Sequence, residues 1–270
     1  MDVAMAVHGD DFTLCGLKED LVKVQEWMRS WFDIKVRGVL GADSDDQKEV
    51  TILGRTVRWK EDCIEYEADM KHRQMILDYF GFDETTRPLS QNGDKEEKIE
   101  PWMDVEMDKD EAKKFRGLAA RLNYMSQDCP DLQYPIKQSS RDMANPTLGS
   151  LASVKKTARY LLDRVGAVWR FEWQDEPTHA YVATDSDWGG TVKDRRSTSG
   201  GVWMLGKHCI KTWSSTQGSV ALSSAEAELY AMVEGVTRAK GLASIARELG
   251  CAGLSQVVQL GVDSSAAKTV

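Results

Sequence analysis

His179-Ala-Tyr-Val-Ala-Thr-Asp-Ser-Asp-Trp-Gly189 is the stretch on which the reading of this chain turns. Before it, apolar residues recur mostly at helical spacing. From it onward the period shortens to two, the mark of strands. Ala180 to Thr184, Gly201 to Leu205 and Cys209 to Trp213 are strand-like, and Val220-Ala-Leu222 leads into a helix starting near Ser223. A further strand is expected at Val257 to Val262. Strands first and a helix after predict an α+β domain.

Working outward toward the N-terminus, Asp108 to Met125 and Leu151 to Val165 are helical by pattern. The segment between them holds Pro130, Pro135 and Pro146, which a helix interior would not tolerate, so it reads as non-helical. Pro88 to Pro101, with Gln91-Asn-Gly93 and Asp94-Lys-Glu-Glu-Lys98, reads as a linker and a boundary. A helix from about Asp69 to Phe80 stops at Gly81, after a strand pair at Val50 to Trp59 and Ile64 to Glu67. Residues 18–32 place Leu21, Val24, Trp27, Met28 and Trp31 on one helical stripe. Val3 to Val7 and Phe12 to Cys15 flank His8-Gly9-Asp10-Asp11 as a tight hairpin.

Composition sets limits on function. At 270 residues, 41% hydrophobic and 29% charged, the chain can bury a sizeable core and has room for more than one unit. The net charge of −8 is uneven, with 21 Lys+Arg against 31 Asp+Glu in residues 1–150 and 14 against 12 in residues 151–270. An acidic total argues against polyanion binding over the whole surface and leaves room for a local basic strip. The five cysteines are widely spaced and form no CxxC pair, so neither a disulfide framework nor a zinc site is expected, and the setting is read as reducing and intracellular. Val3 to Val7 is too short for a signal-peptide core or a membrane span, so no membrane partner is expected.

Three acids on separate elements are candidates to converge: Asp185 at a strand end, Glu228 in the helix after Ser223, and Asp263 at the end of the last strand. Hard divalent cations take oxygen ligands, and such a set suits two-metal phosphodiester hydrolysis. Glu226 is the rival to Glu228. Ser223-Ser-Ala-Glu226 fits a capping box, which assigns Glu226 to the helix start and Glu228 to the metal. Adjacent Asp10 and Asp11 also suit a cation, although a solvated Gly-Asp turn explains them equally well. Lys193-Asp-Arg-Arg196 followed by Ser197-Thr198 supplies donors of the kind that contact phosphates, and the plain alternative is a solvated turn before a strand. Trp188, Trp203 and Trp213 are able to stack on bases or sugars, but strand tryptophans are more often core.

Taken together, these residues resemble a known family. Asp185-Ser-Asp-Trp-Gly189, Asp194 to Gly200, Trp213-Ser-Ser215, Val220 to Glu228 and Val262-Asp-Ser264 are similar, in this order, to the ribonuclease H region of Copia-type retrotransposon Pol polyproteins. Val7-His-Gly-Asp-Asp-Phe12 resembles the reverse transcriptase palm motif, with His8 and Gly9 departing from its common residues. Ile52-Leu-Gly54, Phe80-Gly-Phe82 and Asn145-Pro-Thr147 are similar to the stretch between palm and nuclease.

The resemblance implies an α+β chain in three parts: a reverse transcriptase palm/thumb remnant over 1–90, a linker and helical connection over 91–175, and a C-terminally truncated ribonuclease H-like mixed-sheet domain over 176–270. It implies a Mg²⁺- or Mn²⁺-dependent hydrolase of RNA·DNA hybrids, with Asp185, Glu228 and Asp263 as catalytic metal ligands. Arg195, Arg196, Ser197 and Thr198 would be nucleic-acid contacts, and Asp10 and Asp11 a polymerase remnant. It further implies the remainder of a Pol polyprotein as partner, and a cytoplasmic particle or the nucleus as location. By the family pattern, another palm aspartate would lie before Met1 and a fourth nuclease aspartate after Val270. No polymerase activity is therefore expected from this chain alone, and a catalytically inactive form that at most binds nucleic acid is the alternative.

Overall fold

A computed structural model describes residues 2–90, 100–191, 194–255 and 257–263. The chain is a mixed α and β protein, with six α-helices and three β-sheets among the described residues.

The N-terminal hairpin forms as expected. Strands β1 (Val3–His8) and β2 (Asp11–Gly16) pair antiparallel with His8 opposite Asp11, and Gly9 supplies the positive φ of 62° that the two-residue turn requires. Helix α1 (Lys18–Trp31) follows. Its apolar stripe is only partly covered, because Met28 is buried while Trp27 and Trp31 stay exposed.

The expected strand over residues 50–59 is two strands. Strand β3 (Glu49–Ile52) folds back on β4 (Arg55–Trp59) through Leu53 and Gly54, whose φ values of 49° and 82° make a hairpin turn. A side chain at Gly54 would also meet the Asp69 carboxylate at 2.5 Å. Strand β5 (Cys63–Glu67) continues the antiparallel meander, and the sheet is completed by β6 (Val168–Glu172). That last strand was not foreseen. It lies inside the segment read as linker and helical connection and pairs with β5, so the sheet draws on both sides of the boundary placed near residue 90.

Helix α2 (Lys71–Tyr79) ends before Gly81, which takes a φ of 63°. Of the expected linker, residues 91–99 lie outside the described residues. A short 3-10 helix spans Pro101–Asp104. Helix α3 (Lys109–Ser126) is capped by Asp108, whose carboxylate accepts from the amides of Asp110 and Glu111. Helix α5 (Leu148–Leu161) is capped by Thr147 through a capping box with Ser150.

Between α3 and α5 the proline-rich segment is helical after all, forming α4 (Pro130–Arg141). Pro130 sits in the first turn, where its missing N–H costs nothing. Pro135 removes one i→i−4 bond, but Leu132 and Ile136 are 1% exposed, and burial of that face holds the helix together. Together α2 to α5 enclose a core of Ile76, Phe115, Leu122, Met125, Leu132, Ile136, Val154 and Leu161.

The C-terminal sheet has the order β10-β7-β8-β9, with β7 (Ala180–Asp187), β8 (Thr198–Leu205) and β9 (His208–Thr216) antiparallel and β10 (Val258–Gly261) parallel to β7. Helix α6 (Ser224–Glu248) crosses between β9 and β10 and packs on the sheet. It approaches closely because its inner face is small: Ala227, Ala231, Gly235, Ala239 and Ala243 recur every fourth residue, all buried. A side chain at Gly235 would meet Thr184 Cγ2 at 2.2 Å. Trp203 and Trp213 fill the space beneath, 1% and 7% exposed, and a side chain at Gly201 would strike the Trp213 ring at 2.1 Å.

Helix α4 docks on this C-terminal sheet. Gln133 donates to the Thr212 carbonyl and hydroxyl, and Lys137 donates to Thr198 Oγ1 at 2.6 Å. All five cysteines are free. Among the described residues no helix is long and apolar enough to cross a membrane.

Candidate metal-binding site

Sheet register brings the expected acids together. Gly261 of β10 lies beside Ala183 of β7 in a parallel pair, so two residues further along each chain Asp263 comes level with Asp185. Glu228 enters from the first turns of α6, above the same strand end. One carboxylate oxygen from each of Asp185, Glu228 and Asp263 lies within 4.8 Å of the other two.

The Glu228 side chain is held in place. It is 8% exposed, and Oε1 accepts from the Ser186 amide at 3.2 Å and the Ser186 hydroxyl at 2.8 Å. Its other oxygen, Oε2, is buried with no hydrogen-bond partner among the described residues. A buried carboxylate oxygen normally finds a donor, and a cation shared with the neighbouring carboxylates would satisfy this one. The donor set is oxygen only, which suits Mg²⁺ or Mn²⁺ rather than a soft metal.

Glu226 takes the capping position that its spacing from Ser223 predicts. The Ser223 hydroxyl accepts from the Glu226 amide, and Glu226 Oε2 accepts from the Leu222 amide at 2.8 Å, one residue earlier than the expected Ser223 N–H. The Tyr230 hydroxyl donates to Glu226 Oε1, and these hydrogen bonds hold the Glu226 carboxyl below the usual carboxylate range. Glu226 is thereby committed to the helix start.

The expected phosphate contacts split. Arg195 and Arg196 are exposed on the turn between β7 and β8. Ser197 and Thr198 are 0% and 6% exposed and serve the fold. Ser197 Oγ accepts from the Gly189 amide, and the Thr198 amide donates to Asp187 while its hydroxyl receives Lys137. These two polar side chains next to the basic run are engaged in strand-end hydrogen bonding. The turn itself is anchored from α4 by Arg141, which donates to Thr191 Oγ1 and pairs with Asp194. Lys193 of the basic run and Ser264 of the last motif lie outside the described residues.

Asp10 and Asp11 stay at the hairpin tip, where Arg37 pairs with Asp11 at 3.0 Å. Among the described residues neither joins a cluster of three acids. A second acidic group, Asp43, Asp45 and Asp46, was not singled out from sequence. It already holds the Lys18 ammonium at 2.9, 3.2 and 3.0 Å, which drives the Lys18 pKa well above its usual value.

Sequence reasoning also missed Ser186, Asp187 and Arg141. Ser186 and Asp187 were legible as part of the Asp-Ser-Asp motif, but their roles depend on which face of β7 meets α6. Arg141 carried no local signal.

Comparison with known proteins places this architecture. Over about half its length the chain is similar to retrovirus-related Pol polyproteins of transposons. It is 31% identical over 137 residues to the retrovirus-related Pol polyprotein of transposon RE1 from Arabidopsis thaliana, and 31% identical over 121 residues to that of transposon TNT 1-94 from Nicotiana tabacum. These matches cover 50% and 45% of this chain and 9% of each polyprotein, so the chain spans a small part of those relatives. It is also 33% identical over 111 residues, 41% of this chain, to a protein named secreted RxLR effector protein 161 from Plasmopara viticola, of which it covers 77%. No family model matches the chain.

Proposed function

We propose that this Pol segment is a divalent-cation-dependent ribonuclease that cuts the RNA strand of RNA·DNA hybrids. In this reading residues 176–270 are the ribonuclease H-like domain, 91–175 the connection, and 1–90 the part corresponding to a reverse transcriptase palm and thumb, with Asp10 and Asp11 as its acids. The observation that carries the proposal is the convergence of Asp185, Glu228 and Asp263, with one buried Glu228 oxygen left without a partner among the described residues.

Mg²⁺ or Mn²⁺ bound there supplies an activated water and charge stabilisation for the leaving 3′ oxygen. The chain's own residues do the rest. Ser186 fixes Glu228 through its amide and hydroxyl, so the carboxylate is preorganised before any substrate arrives. Asp185 and Asp263 are exposed and therefore accessible to a substrate. Arg195 and Arg196, on the turn held by Arg141, are placed to bind backbone phosphates of the duplex. Such a site reads duplex shape and 2′-hydroxyls rather than base sequence.

The test compares four labelled substrates in Mg²⁺: an RNA·DNA hybrid, duplex RNA, duplex DNA and single-stranded RNA. Cutting confined to the RNA of the hybrid is expected. Salt-sensitive binding of all four with no cutting would instead make the chain a nucleic-acid-binding protein without turnover.

A further inference from the structure

We infer that the indole of Trp188 is a nucleotide-binding platform beside the carboxylate cluster, packing on the sugar or base face of the nucleotide next to the bound phosphate. The inference rests on the hydrolytic reading for the class of its ligand, and adds to it a residue that the metal chemistry does not use.

Burial separates the three tryptophans Trp188, Trp203 and Trp213. Trp203 and Trp213 are core, while Trp188 is 53% exposed. Trp188 directly follows β7, three residues after Asp185 and two after the Ser186 that holds Glu228. Its Nε1–H donates to the Ala221 carbonyl at 3.0 Å, just before α6. One edge of the ring is therefore tied to the protein while a face stays open. An exposed indole with a fixed orientation loses little freedom when a ligand covers it.

The surroundings say what that ligand is. Val220 and Leu222, on either side of the anchoring Ala221 in the chain, are 47% and 85% exposed, so exposed apolar residues adjoin the anchor. Gly189, the next residue in the chain, has a φ of 58° and lets the Arg195 guanidinium come close to the backbone; a side chain there would meet Arg195 Nη2 at 2.9 Å. An apolar ring, a guanidinium and three carboxylates thus share one strand end. A nucleotide offers a matching sequence of parts: an apolar ring face, a phosphate for the guanidinium, and phosphate oxygens for a carboxylate-held cation. A peptide would cover the apolar residues but leave the three acids without a role.

The experiment measures equilibrium binding of a fluorescently labelled RNA·DNA hybrid by the full chain, with Ca²⁺ in place of Mg²⁺. Trp188→Ala is expected to weaken binding roughly ten-fold. Trp188→Phe, which keeps a ring but lacks the N–H, should recover most of that loss. The salt dependence of binding should be unchanged in Trp188→Ala, because no charge is removed, whereas Arg195→Ala should lower its slope by about one. Unchanged affinity in Trp188→Ala overturns the proposal, as does Trp188→Phe being as weak as Trp188→Ala, which would trace the effect to the lost hydrogen bond. A parent chain that binds no hybrid overturns it as well. Trp188-dependent binding with no cleavage in Mg²⁺ would keep the platform and sink the hydrolytic reading, and cleavage with Trp188→Ala binding like the parent would sink the platform alone.

Discussion

Replacing Glu228 by Gln should make the metal-free protein more stable while removing its response to divalent cations. The three carboxylates approach within 4.8 Å, a separation at which two like charges repel by about 1 kcal/mol in water-like surroundings and about 3 kcal/mol at an effective dielectric of 20. Asp185 and Asp263 are exposed, so the lower figure applies, and two such pairs involve Glu228. Neutralising it relieves about 2 kcal/mol, from which about 1 kcal/mol is lost as the Ser186 bonds become neutral ones. A net gain of about 1 kcal/mol corresponds to a rise in Tm of about 2–4 °C. In the parent, a cation at ten times its Kd contributes about 1.4 kcal/mol, which Glu228→Gln should lose. Thermal melts in EDTA and in Mg²⁺, at matched ionic strength, read both effects. A variant that melts lower than the parent in EDTA, or gains as much from Mg²⁺, refutes the reasoning.

Other variants test the packing around the site. Gly235→Ala should cost about 1–2 kcal/mol, since overpacking against Thr184 exceeds the gain in helix propensity, and a urea midpoint equal to the parent's would show that α6 sits further from the sheet. Asp128→Ala strips the acceptor from Arg55 and Tyr66, leaves a guanidinium side chain only 14% exposed without its partner, and should cost about 2–3 kcal/mol in the same assay. Burial, then the Asp128 charge, pushes the Tyr66 phenol up to about 12; Asp128→Asn should move its spectrophotometric titration downward. Burial works to raise the Asp69 pKa, but hydrogen bonds from the Lys71 amide and ammonium and the Tyr124 hydroxyl outweigh it and hold the carboxyl low. Its stabilisation is therefore present above about pH 4 and fades as pH falls through the depressed value. Asp69→Asn should flatten that acid limb of stability against pH.

Much of the site could be read from the sequence because its signals are local. Ser223 and Glu226 carry a capping pattern that frees Glu228 for another task, and the period-two stretches place Asp185 and Asp263 at strand ends. What could not be read depends on tertiary context. Whether Ser197 and Thr198 face solvent or the core is set by how the β7–β8 turn meets α4, and their polarity fits either answer. The helix at Pro130–Arg141 is an override of local propensity, where burial of Leu132 and Ile136 outweighs one missing backbone bond at Pro135. The Leu53-Gly54 turn hid inside a continuous run of strand-forming residues, since Leu at positive φ is rare. Strand β6 did carry a period-two pattern, with Trp169 and Phe171 half-buried between exposed neighbours. It is too short to stand out beside the helix before it, and its partner β5 lies about a hundred residues away.

The most direct test of the central claim is cleavage of an RNA·DNA hybrid, labelled on the RNA strand, by the purified chain in Mg²⁺ or Mn²⁺. The parent should be measured beside Asp185→Asn, Glu228→Gln and Asp263→Asn. The account predicts RNA cleavage by the parent that EDTA abolishes and each variant reduces by orders of magnitude. Cleavage that survives in Glu228→Gln, or a folded parent that binds Mg²⁺ and never cuts the hybrid, would contradict it.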